Sequence, residues 1–447
     1  MKFLFTTLPS NDLGLLTRSL PIANELRING HEILFSNPAA APSVLIEEAG
    51  FKNLIPRHPL YQIRKLRWKQ IFNPNIFKEE YGNIFRFVCN LIRALPTKFA
   101  PITAEVWDMD HGAAMIGMMN ENFVRANCEA YEELIVDTEA DIIVDFWNPF
   151  ACIASKILNK PLITVIQADA HPDNKGLIWW KERPKNLATA LPTINKVIVR
   201  YGLKKIEKVE ELSIGDLTLV VGTPDLDPIP EGANCNHIGP LLWEKADDQL
   251  PEWIETISRS KPLIWVYPGN PRYGPKETVF DSEIIIRACV HVLSKMDVNV
   301  ILTTGNHKLP KHLLPLPDNF HFALYLPGIQ LAKKCDLMIH HGGYGSCQTS
   351  LYTGTPSVII PTFSERESNA RRVAAIGAGE YVLPKAGSSS KREIDLREFR
   401  EKVDRVLFTP SYLLNSQLQG QKMAEFGGPE KAVTIIEGFV SSFTHVT

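Results

Sequence analysis

The chain has 447 residues, of which 45% are hydrophobic, and this length is enough for two or three domains with sizeable cores. Its 48 Lys and Arg against 50 Asp and Glu give a formal charge of −2, which argues against a dedicated nucleic-acid-binding protein. The seven Cys form no Cys-x-x-Cys pair, so neither a disulfide framework nor a zinc site is indicated, and we expect a reducing, cytoplasmic environment.

The start of the chain alternates between predicted strands and helices. KFLFTTL, GHEILFS and FKNLIP predict strands, and the apolar residues of LLTRSLPIANELRI recur at helical spacing. This alternation is typical of a parallel sheet in a doubly wound α/β domain. The first apolar run is too short for a signal peptide, and no stretch approaches the roughly 20 apolar residues of a membrane-spanning helix. Peripheral contact with a membrane surface stays open.

From residue 58 to residue 130 the alternation gives way to helical material rich in aromatic residues and methionine. Such side chains fill protein cores, but they also line apolar substrate pockets, and the sequence leaves both interpretations open. The predicted strands ADIIVDF, PLITVIQ and DLTLVVG then complete the first half of the chain.

A proline-rich stretch over residues 223–252 has the composition of a linker. After it a second α/β series begins, with PLIWVYPG, NVILTTG, DLMIHHGG and PSVIIPTF as predicted strands. We therefore predict an N-terminal domain over residues 1–225, a linker over 226–250 and a C-terminal domain over 251–425. The fold class is α/β, with two Rossmann-like doubly wound domains facing each other across a cleft.

The most informative stretch follows the predicted strand that ends at His340 and His341. A turn and a helix come next, and their first residues are Gly342, Gly343, Gly345 and Ser346. Glycines allow backbone N–H groups to approach a ligand closely, and the start of a helix attracts an anion. Ligands of open α/β sheets bind beyond the carboxyl ends of the strands. The sequence therefore predicts a diphosphate site at this turn. His340 is expected to be structural, because neighbouring strand residues point to opposite faces.

HHGGYGS, followed by TGTPSVIIPTFSERESNARRVAAIGAG, resembles the nucleotide-sugar signature of family 1 glycosyltransferases, which include UDP-glycosyltransferases and macrolide glycosyltransferases. IGPLLWE and GGPEKA resemble further landmarks of that family. The resemblance implies a GT-B fold in which the N-terminal domain binds an acceptor and the C-terminal domain binds a nucleotide-sugar donor. It also implies that a C-terminal helix within 426–447 packs back towards the N-terminal domain.

The resemblance implies that the diphosphate is held by His341 and by the N–H groups of the following turn. It places Glu365 and Asn369 at the sugar hydroxyls, and the loop PGIQL, residues 327–331, beside the base. The complete set of implied donor-binding residues is Gly269, Asn270, Gly328, Gln330, His341, Gly342, Gly343, Gly345, Ser346, Glu365, Arg366 and Asn369.

Two positions differ from the family pattern. Thr349 stands where the family often has the Glu that binds ribose, so the nucleotide is left open, with UDP and dTDP as the expected candidates. Arg366 stands where the family has Gln, and its guanidinium is suited to pair with an acidic sugar. The alternative interpretation of Arg366 is a solvated charge at the start of a helix.

Sugar transfer to a hydroxyl needs a base that accepts the hydroxyl proton while the diphosphate leaves. Counting forward from the first predicted strand places the family's usual catalytic His at Leu13, and counting back from GHEI places it at Leu15. Neither count finds a histidine. We rank Asp145, at the end of an apolar strand, first as the base and Asp12 second. Helix capping is the alternative role of Asp12. His171 is the third candidate, and its alternative is a structural role.

His111 is a fourth, weaker candidate base. Asp108 and Asp110 beside it do not form a recognised metal-ligand set, and inverting transferases of this kind need no metal. We therefore expect no metal and no cofactor other than the nucleotide-sugar co-substrate. The acceptor side is expected to be lined by Trp107, Trp147, Trp179 and Trp180, which would suit a flat apolar small molecule or a lipid.

The leading hypothesis is an inverting glycosyltransferase that moves a sugar from a nucleotide-diphosphate sugar to a hydroxyl of an apolar acceptor. The missing His keeps a second hypothesis open, namely a non-catalytic protein that binds a nucleotide sugar. A third is an epimerase or hydrolase that converts the sugar nucleotide without an acceptor, since one scaffold hosts several chemistries.

Overall fold

The computed structural model of the chain describes residues 1–58, 60–61, 84–245, 248–269, 282–305, 307–386 and 392–444. Within these ranges it shows two parallel β-sheets, one formed by each half of the chain and each flanked by helices. The two Rossmann-like α/β domains predicted from the alternation of strands and helices are therefore confirmed.

The first sheet has seven strands in the order β3-β2-β1-β4-β5-β6-β7, and all neighbours are parallel. Residues 3–5 and 142–144 are fully or almost fully buried, as expected for strands that helices cover on both faces. The strands are β1 (Lys2–Thr7), β2 (Glu32–Ser36), β3 (Lys52–Asn53), β4 (Ile142–Phe146), β5 (Leu162–Ile166), β6 (Leu217–Val221) and β7 (Asn236–Gly239).

The helices of this half surround the sheet. The described ones are α1 (Gly14–Ile28), α2 (Ala40–Glu48), α3 (Ile84–Ala94), α4 (Met109–Met115), α5 (Glu121–Thr138), α6 (Pro149–Ile157) and α7 (Leu191–Arg200). In the aromatic and Met-rich stretch, Met109, Met118 and Phe123 belong to the buried core of the domain. For these residues the structure favours core packing over a pocket wall.

The second sheet has six parallel strands in the order β10-β9-β8-β11-β12-β13. The short strands β14 and β15 come later in the chain and pair with each other in antiparallel orientation. The strands are β8 (Leu263–Tyr267), β9 (Asn299–Thr303), β10 (Phe320–Ala323), β11 (Leu337–His340), β12 (Ser357–Ile359), β13 (Gly379–Tyr381), β14 (Lys385–Ala386) and β15 (Arg392–Glu393). The helices are α8 (Ser282–Leu293), α9 (Gly328–Ala332), α10 (Tyr344–Tyr352), α11 (Ser364–Ala375), α12 (Leu396–Phe408), α13 (Pro410–Glu425) and α14 (Gly428–Thr444).

The stretch predicted as a linker contains a strand. β7 lies within residues 226–250, pairs in parallel with β6 and so extends the N-terminal sheet. Ile238 of β7 and Leu241 after it are buried in the core of the N-terminal domain. The expected linker is therefore partly structured, because a short apolar run among the prolines finds an open sheet edge.

The last helix, α14, packs against the N-terminal domain although it ends the chain. Ala432, Val433 and Ile436 lie in the same buried cluster as Leu16 and Leu20 of α1. Over the described residues, none of the helices combines the length and apolarity that crossing a bilayer requires.

Both sheets reverse their strand order at one point, between β1 and β4 in the first and between β8 and β11 in the second. At such a point the loops after the two central strands diverge, and a crevice opens between them. A ligand-binding site is therefore expected at these two crevices.

Candidate functional site

The crevice of the second sheet is bordered by Gly269, after β8, and His341, after β11. The two strands are paired, with Tyr267 in register with His340. The backbone of Gly269 has a φ of +84°, and a Cβ at this position would lie 2.9 Å from the His341 ring. The absence of a side chain at residue 269 therefore allows the imidazole to lie against the first turn of the domain.

His341 is almost buried, with 9% of its surface exposed, and its ring meets Tyr267 edge to face at 5.5 Å. Burial lowers the pKa of His341 well below its usual range, and the positive charge of Arg366 adds to the shift. The ring is consequently neutral near neutral pH and offers one N–H donor. Its Nδ1 has no hydrogen-bond partner among the described residues.

The turn after His341 brings backbone N–H groups to the same crevice. Gly342 has a φ of +85°, and a Cβ there would lie 2.8 Å from the carbonyl oxygen of Arg366. Ser346 and Cys347 donate to the carbonyl of Gly343 at 2.9 and 3.1 Å, which closes the first turn of α10. The N–H groups ahead of this turn have no partner within the helix and are suited to bind an anion.

His340 has a different role from His341. It is fully buried, and its Nδ1 accepts a hydrogen bond of 3.1 Å from the N–H of Gly342. Burial lowers its pKa to about 3, so the ring is neutral. His340 thus stabilises the turn from the protein interior. This is the structural role predicted from its position on the strand.

Glu365 and Asn369 lie together on the first turns of α11. Asn369 Nδ2 donates to Glu365 Oε1 at 2.9 Å and to the carbonyl of Gly342 at 3.0 Å. Gln167 of the N-terminal domain also reaches Glu365 Oε1, at 3.4 Å. Burial raises the pKa of Glu365. Hydrogen bonds therefore connect Glu365 and Asn369, the predicted sugar-binding pair, to the glycine turn and to the N-terminal domain.

The charge of Asp12, in the N-terminal domain, acts on Arg366 in the C-terminal domain. Arg366 Nη1 donates to Thr362 Oγ1 at 2.9 Å. Burial lowers the pKa of Arg366, and the charges of Glu365 and Asp12 oppose this shift. The same Asp12 carboxylate acts on the pKa of buried Arg18 in α1, where burial is again the larger cause. The carboxylate of Asp12 is thus near enough to both arginines for its charge to act on their pKa values.

Asp12 is exposed at the start of α1. Its Oδ1 accepts the N–H of Gly14, the first residue of α1, at 2.8 Å, although the N-cap residue itself is Leu13 and has no side-chain capping bond. This bond uses one of the two carboxylate oxygens.

Asp145, ranked first as the base, lies in the interior. It is 1% exposed, its Oδ2 accepts from Thr6 Oγ1 at 2.5 Å, and its Oδ1 accepts from the N–H of Asn148 at 2.9 Å and from Cys152 Sγ at 3.2 Å. Burial raises its pKa to about 6. With both oxygens engaged and no access, Asp145 fixes the turn after β4, and the geometry argues against the base role.

The two candidate histidines are buried away from the glycine turn. His171 is 4% exposed, and its Nδ1 accepts the N–H of Asp173 at 3.2 Å within its own loop. His111 is also 4% exposed in α4. Burial lowers the pKa of both rings. For both residues the structural interpretation fits better than the role of base.

The loop predicted to contact the base is covered by the residues expected to form the linker. Glu244 accepts the N–H of Ile329, and the carbonyl of Asp248 accepts Gln330 Nε2 at 2.7 Å. Gly328 lies against Trp265, where a Cβ would come within 3.1 Å of the indole ring. The sequence interpretation did not anticipate that the linker contacts this loop. Asn270 lies outside the described residues.

Thr349, at the position of the family's ribose-binding Glu, uses its hydroxyl locally. Its Oγ1 donates to the carbonyl of Gly345 at 2.9 Å, one helical turn back. Gln348 beside it is 1% exposed, and neither atom of its amide has a partner among the described residues.

The four tryptophans expected at the acceptor divide into two pairs. Trp107 is 8% exposed, and the ring of Trp147 packs against Gly112 of α4 within the N-terminal domain. Trp179 instead donates from Nε1 to Ser368 Oγ of α11 at 2.9 Å, and Arg371 lies 4.5 Å over the ring of Trp180. Trp179 and Trp180 are therefore contacts between the domains, a role that was not expected for them.

A buried charge cluster missed by the sequence interpretation joins the domains. Arg372 of α11 donates to Asp169, after β5, and its Nη1 lies 3.1 Å from Asp227 Oδ1. Ser368 donates to Asp169 Oδ2 at 2.7 Å. Burial raises the pKa of Asp169 to about 7, against the effect of Arg372. The sequence does contain an indication of this role, because Asp169 lies just after the buried strand β5, and Asp145 lies near the end of the buried strand β4.

Across the described ranges, no group of three or more His, Cys, Asp or Glu side chains is arranged to hold a metal ion. The glycine turn, the neutral His341 and the helix start bring N–H donors together, and Glu365 and Arg366 lie beside them on α11. The arrangement is suited to bind a phosphorylated ligand next to a carboxylate.

Comparisons with known proteins agree with this description. The family described as "Erythromycin biosynthesis protein CIII-like, C-terminal domain" matches residues 287–438, which include the glycine turn and α11. An uncharacterized UDP-glucosyltransferase, YojK of Bacillus subtilis (strain 168), is 27% identical over 228 residues, covering 50% of this chain and 52% of the relative.

A second relative, 4'-demethylrebeccamycin synthase of Lentzea aerocolonigenes, is 27% identical over 253 residues, covering 54% of this chain and 55% of its own length. The chain thus spans about half the length of these curated relatives. Among solved structures, spinosyn rhamnosyltransferase SpnG complexed with spinosyn aglycone aligns with a TM-score of 0.65 and 17% identity, covering 98% of this chain and 100% of SpnG. SpnG complexed with thymidine diphosphate aligns similarly, with a TM-score of 0.63.

Proposed function

We propose that this chain, which has the GT-B fold, is a macrolide-type glycosyltransferase of family 1 and that it moves a sugar from a nucleotide-diphosphate sugar to a hydroxyl of an apolar acceptor. The observation that carries the proposal is the turn from His341 to Ser346. It presents a neutral imidazole and a helix start at the crevice where the second sheet reverses its strand order.

The donor diphosphate would bind at this turn, with the N–H groups of Gly343 and Gly345 and the His341 ring as donors. Two relatives support a nucleotide diphosphate: YojK by its name, and SpnG by its complex with thymidine diphosphate. UDP and dTDP are both candidates, because the hydroxyl of Thr349 bonds to its own helix rather than supplying the family's carboxylate. Glu365 and Asn369 would bind sugar hydroxyls.

The proposed base is Asp12, in place of the first-ranked Asp145. Asp12 is an exposed carboxylate, and its charge acts on Arg366, beside the proposed donor site, and on Arg18. In the reaction, Asp12 would take the proton of the acceptor hydroxyl while the oxygen attacks the anomeric carbon. The bond from that carbon to the diphosphate oxygen breaks, the configuration inverts, and the turn stabilises the charge of the departing diphosphate.

The acceptor would bind in the N-terminal domain, between the end of β4 and α4. Trp107 and Trp147 flank this region, and SpnG, whose fold the chain shares, binds a spinosyn aglycone. An apolar natural product or a lipid alcohol is therefore the proposed acceptor class. The reaction written here involves no metal and no cofactor beyond the sugar nucleotide.

The test combines donor binding with turnover. We expect UDP or dTDP to bind in calorimetry, and we expect Asp12→Asn to retain that binding while lowering kcat by about 10²–10⁴-fold. Asp145→Asn, the matched control, should leave kcat within about tenfold. Absence of binding by any nucleoside diphosphate would refute the donor site, whereas binding with neither transfer nor donor hydrolysis would favour the non-catalytic alternative.

A further inference from the structure

An exposed apolar surface lies on α3 and the segment that follows it, far from the glycine turn in sequence. Five large apolar side chains of this stretch are between 42% and 62% exposed. We call them the α3 apolar face: Val88 (42%), Ile92 (62%), Leu95 (43%), Phe99 (54%) and Ile102 (59%). The first three are spaced at i, i+4 and i+7, so they lie on one side of the helix.

The opposite side of the same stretch is anchored in the domain. Ala94 and Ala100 are 1% and 2% exposed, and the N–H of Ala100 donates to the carbonyl of Ala114 at 3.0 Å. Asn120 Oδ1 accepts the N–H groups of Thr97 and Lys98 at 2.9 and 3.0 Å. The α3 apolar face is therefore held in place by backbone bonds and presented outward.

The charges around the face are of one sign. Arg93 and Lys98 are exposed among its apolar residues, and no Asp or Glu occurs between residues 81 and 104. An apolar strip bordered by cations is the composition of surfaces that lie on anionic membranes.

We propose that the α3 apolar face docks on an anionic lipid surface. Its apolar side chains would enter the boundary between headgroups and acyl chains, and Arg93 and Lys98 would pair with anionic headgroups. A second copy of the chain fits less well, because a self-complementary contact would bring the cations of two faces together without a carboxylate between them. The contact is peripheral, and it places the domain proposed to bind the acceptor beside the bilayer.

The test is co-sedimentation of the full chain with vesicles of phosphatidylcholine, with and without added phosphatidylglycerol. We expect binding to the phosphatidylglycerol vesicles that weakens as salt is added. Ile92→Glu should reduce binding by about tenfold or more, because it replaces a buried apolar contact with a charge. Arg93→Glu combined with Lys98→Glu should reduce binding to the anionic vesicles by a similar factor.

Leu414→Glu is the matched control, since Leu414 is also 62% exposed but lies on α13 of the C-terminal domain. It should bind vesicles as the unmodified chain does. Equal binding by the unmodified chain and Ile92→Glu would overturn the proposal, as would absence of binding to anionic vesicles. A dimer that Ile92→Glu converts to a monomer would assign the face to a second copy instead. The readout uses no donor or acceptor, so it is independent of the proposed reaction.

Discussion

Tyr344 Oη lies 2.7 Å from Asp227 Oδ2, which joins the first residue of α10 to the N-terminal half of the chain. The same hydroxyl lies 2.8 Å from the carbonyl oxygen of Val221 at the end of β6, and Arg18 lies 5.1 Å over the ring. The proposed diphosphate turn is therefore positioned by both domains. A change in their relative placement would move Tyr344 and, with it, the N–H groups at the start of the helix.

The glycines of the turn are predicted to differ in their tolerance of a methyl group. A Cβ at Gly343 would lie 3.0 Å from Cε1 of His341 and closer still to Nε2, whereas a Cβ at Gly345 meets nothing within 4 Å. We expect Gly343→Ala to weaken UDP or dTDP binding about tenfold to a hundredfold. The added methyl group would displace the His341 ring, and the ligand would lose one hydrogen bond to its charged phosphate.

Gly345→Ala is the control within the same turn. It should leave the affinity within about threefold and raise the melting temperature, because Ala favours a helix by about 1 kcal/mol over Gly. Calorimetric titration of both variants measures the difference. Equal affinities for the two would show that the ring of His341 takes no part in binding.

Removal of Arg372 is predicted to destabilise the protein strongly. Arg372→Met would leave Asp169 and Asp227 buried without their cation, which typically costs about 3–5 kcal/mol. The loss should be smaller at acid pH, where protonation neutralises the two carboxylates. Chemical denaturation at several pH values measures this.

The neighbouring Arg371→Met is the control for this change. Arg371 pairs with Glu367 on its own helix at 2.7 Å and is partly exposed, so its removal should cost about 1 kcal/mol or less. A similar cost for both substitutions would contradict the view that the buried cluster holds the domains together.

Asp145 is predicted to make stability fall as pH rises from about 4 to about 6. Burial raises its folded-state pKa to about 6 from an ordinary value of 3.8, so in this window the folded chain binds a proton that the unfolded chain has lost. The free energy of unfolding then falls by up to about 1.4 kcal/mol per pH unit. Asp145→Asn should remove this slope.

Asp137→Asn, at a half-exposed carboxylate of α5, should keep the slope of the unmodified chain. Denaturant unfolding across the acid range compares the three proteins. A slope that persists in Asp145→Asn would assign it to another carboxylate, and Asp169, with a pKa raised to about 7, is the next candidate.

Arg366 is predicted to select the charge of the donor sugar. Arg366→Gln should lower kcat/KM for an acidic hexose donor about tenfold relative to a neutral one, because the charge-assisted pair with the sugar carboxylate is lost. Arg371→Gln, at a neighbouring residue that pairs with Glu367 and stacks on Trp180, should not change the ratio. An unchanged ranking of donors in Arg366→Gln would make Arg366 a structural charge bonded to Thr362.

The local pattern of the chain determined the elements and the turn. Alternating apolar strands and amphipathic helices predicted two parallel sheets, and the glycines after His341 marked a backbone that approaches a ligand closely. The two parallel sheets were predicted correctly because strand and helix formation depends on residues that are near in sequence, whereas ligand binding at the glycine turn stays a prediction. The resemblance to glycosyltransferases likewise rests on short contiguous motifs.

Only the tertiary structure decided which carboxylates are exposed and which residues join the domains. Asp145 lies near the end of β4 and Asp12 follows β1, yet Thr6, Asn148 and Cys152 enclose Asp145 while Asp12 is exposed. Burial and pairing depend on residues far apart in the chain, such as Asp169 and Arg372. No local pattern contains them, because the energy of a buried charge is set by whatever packs around it.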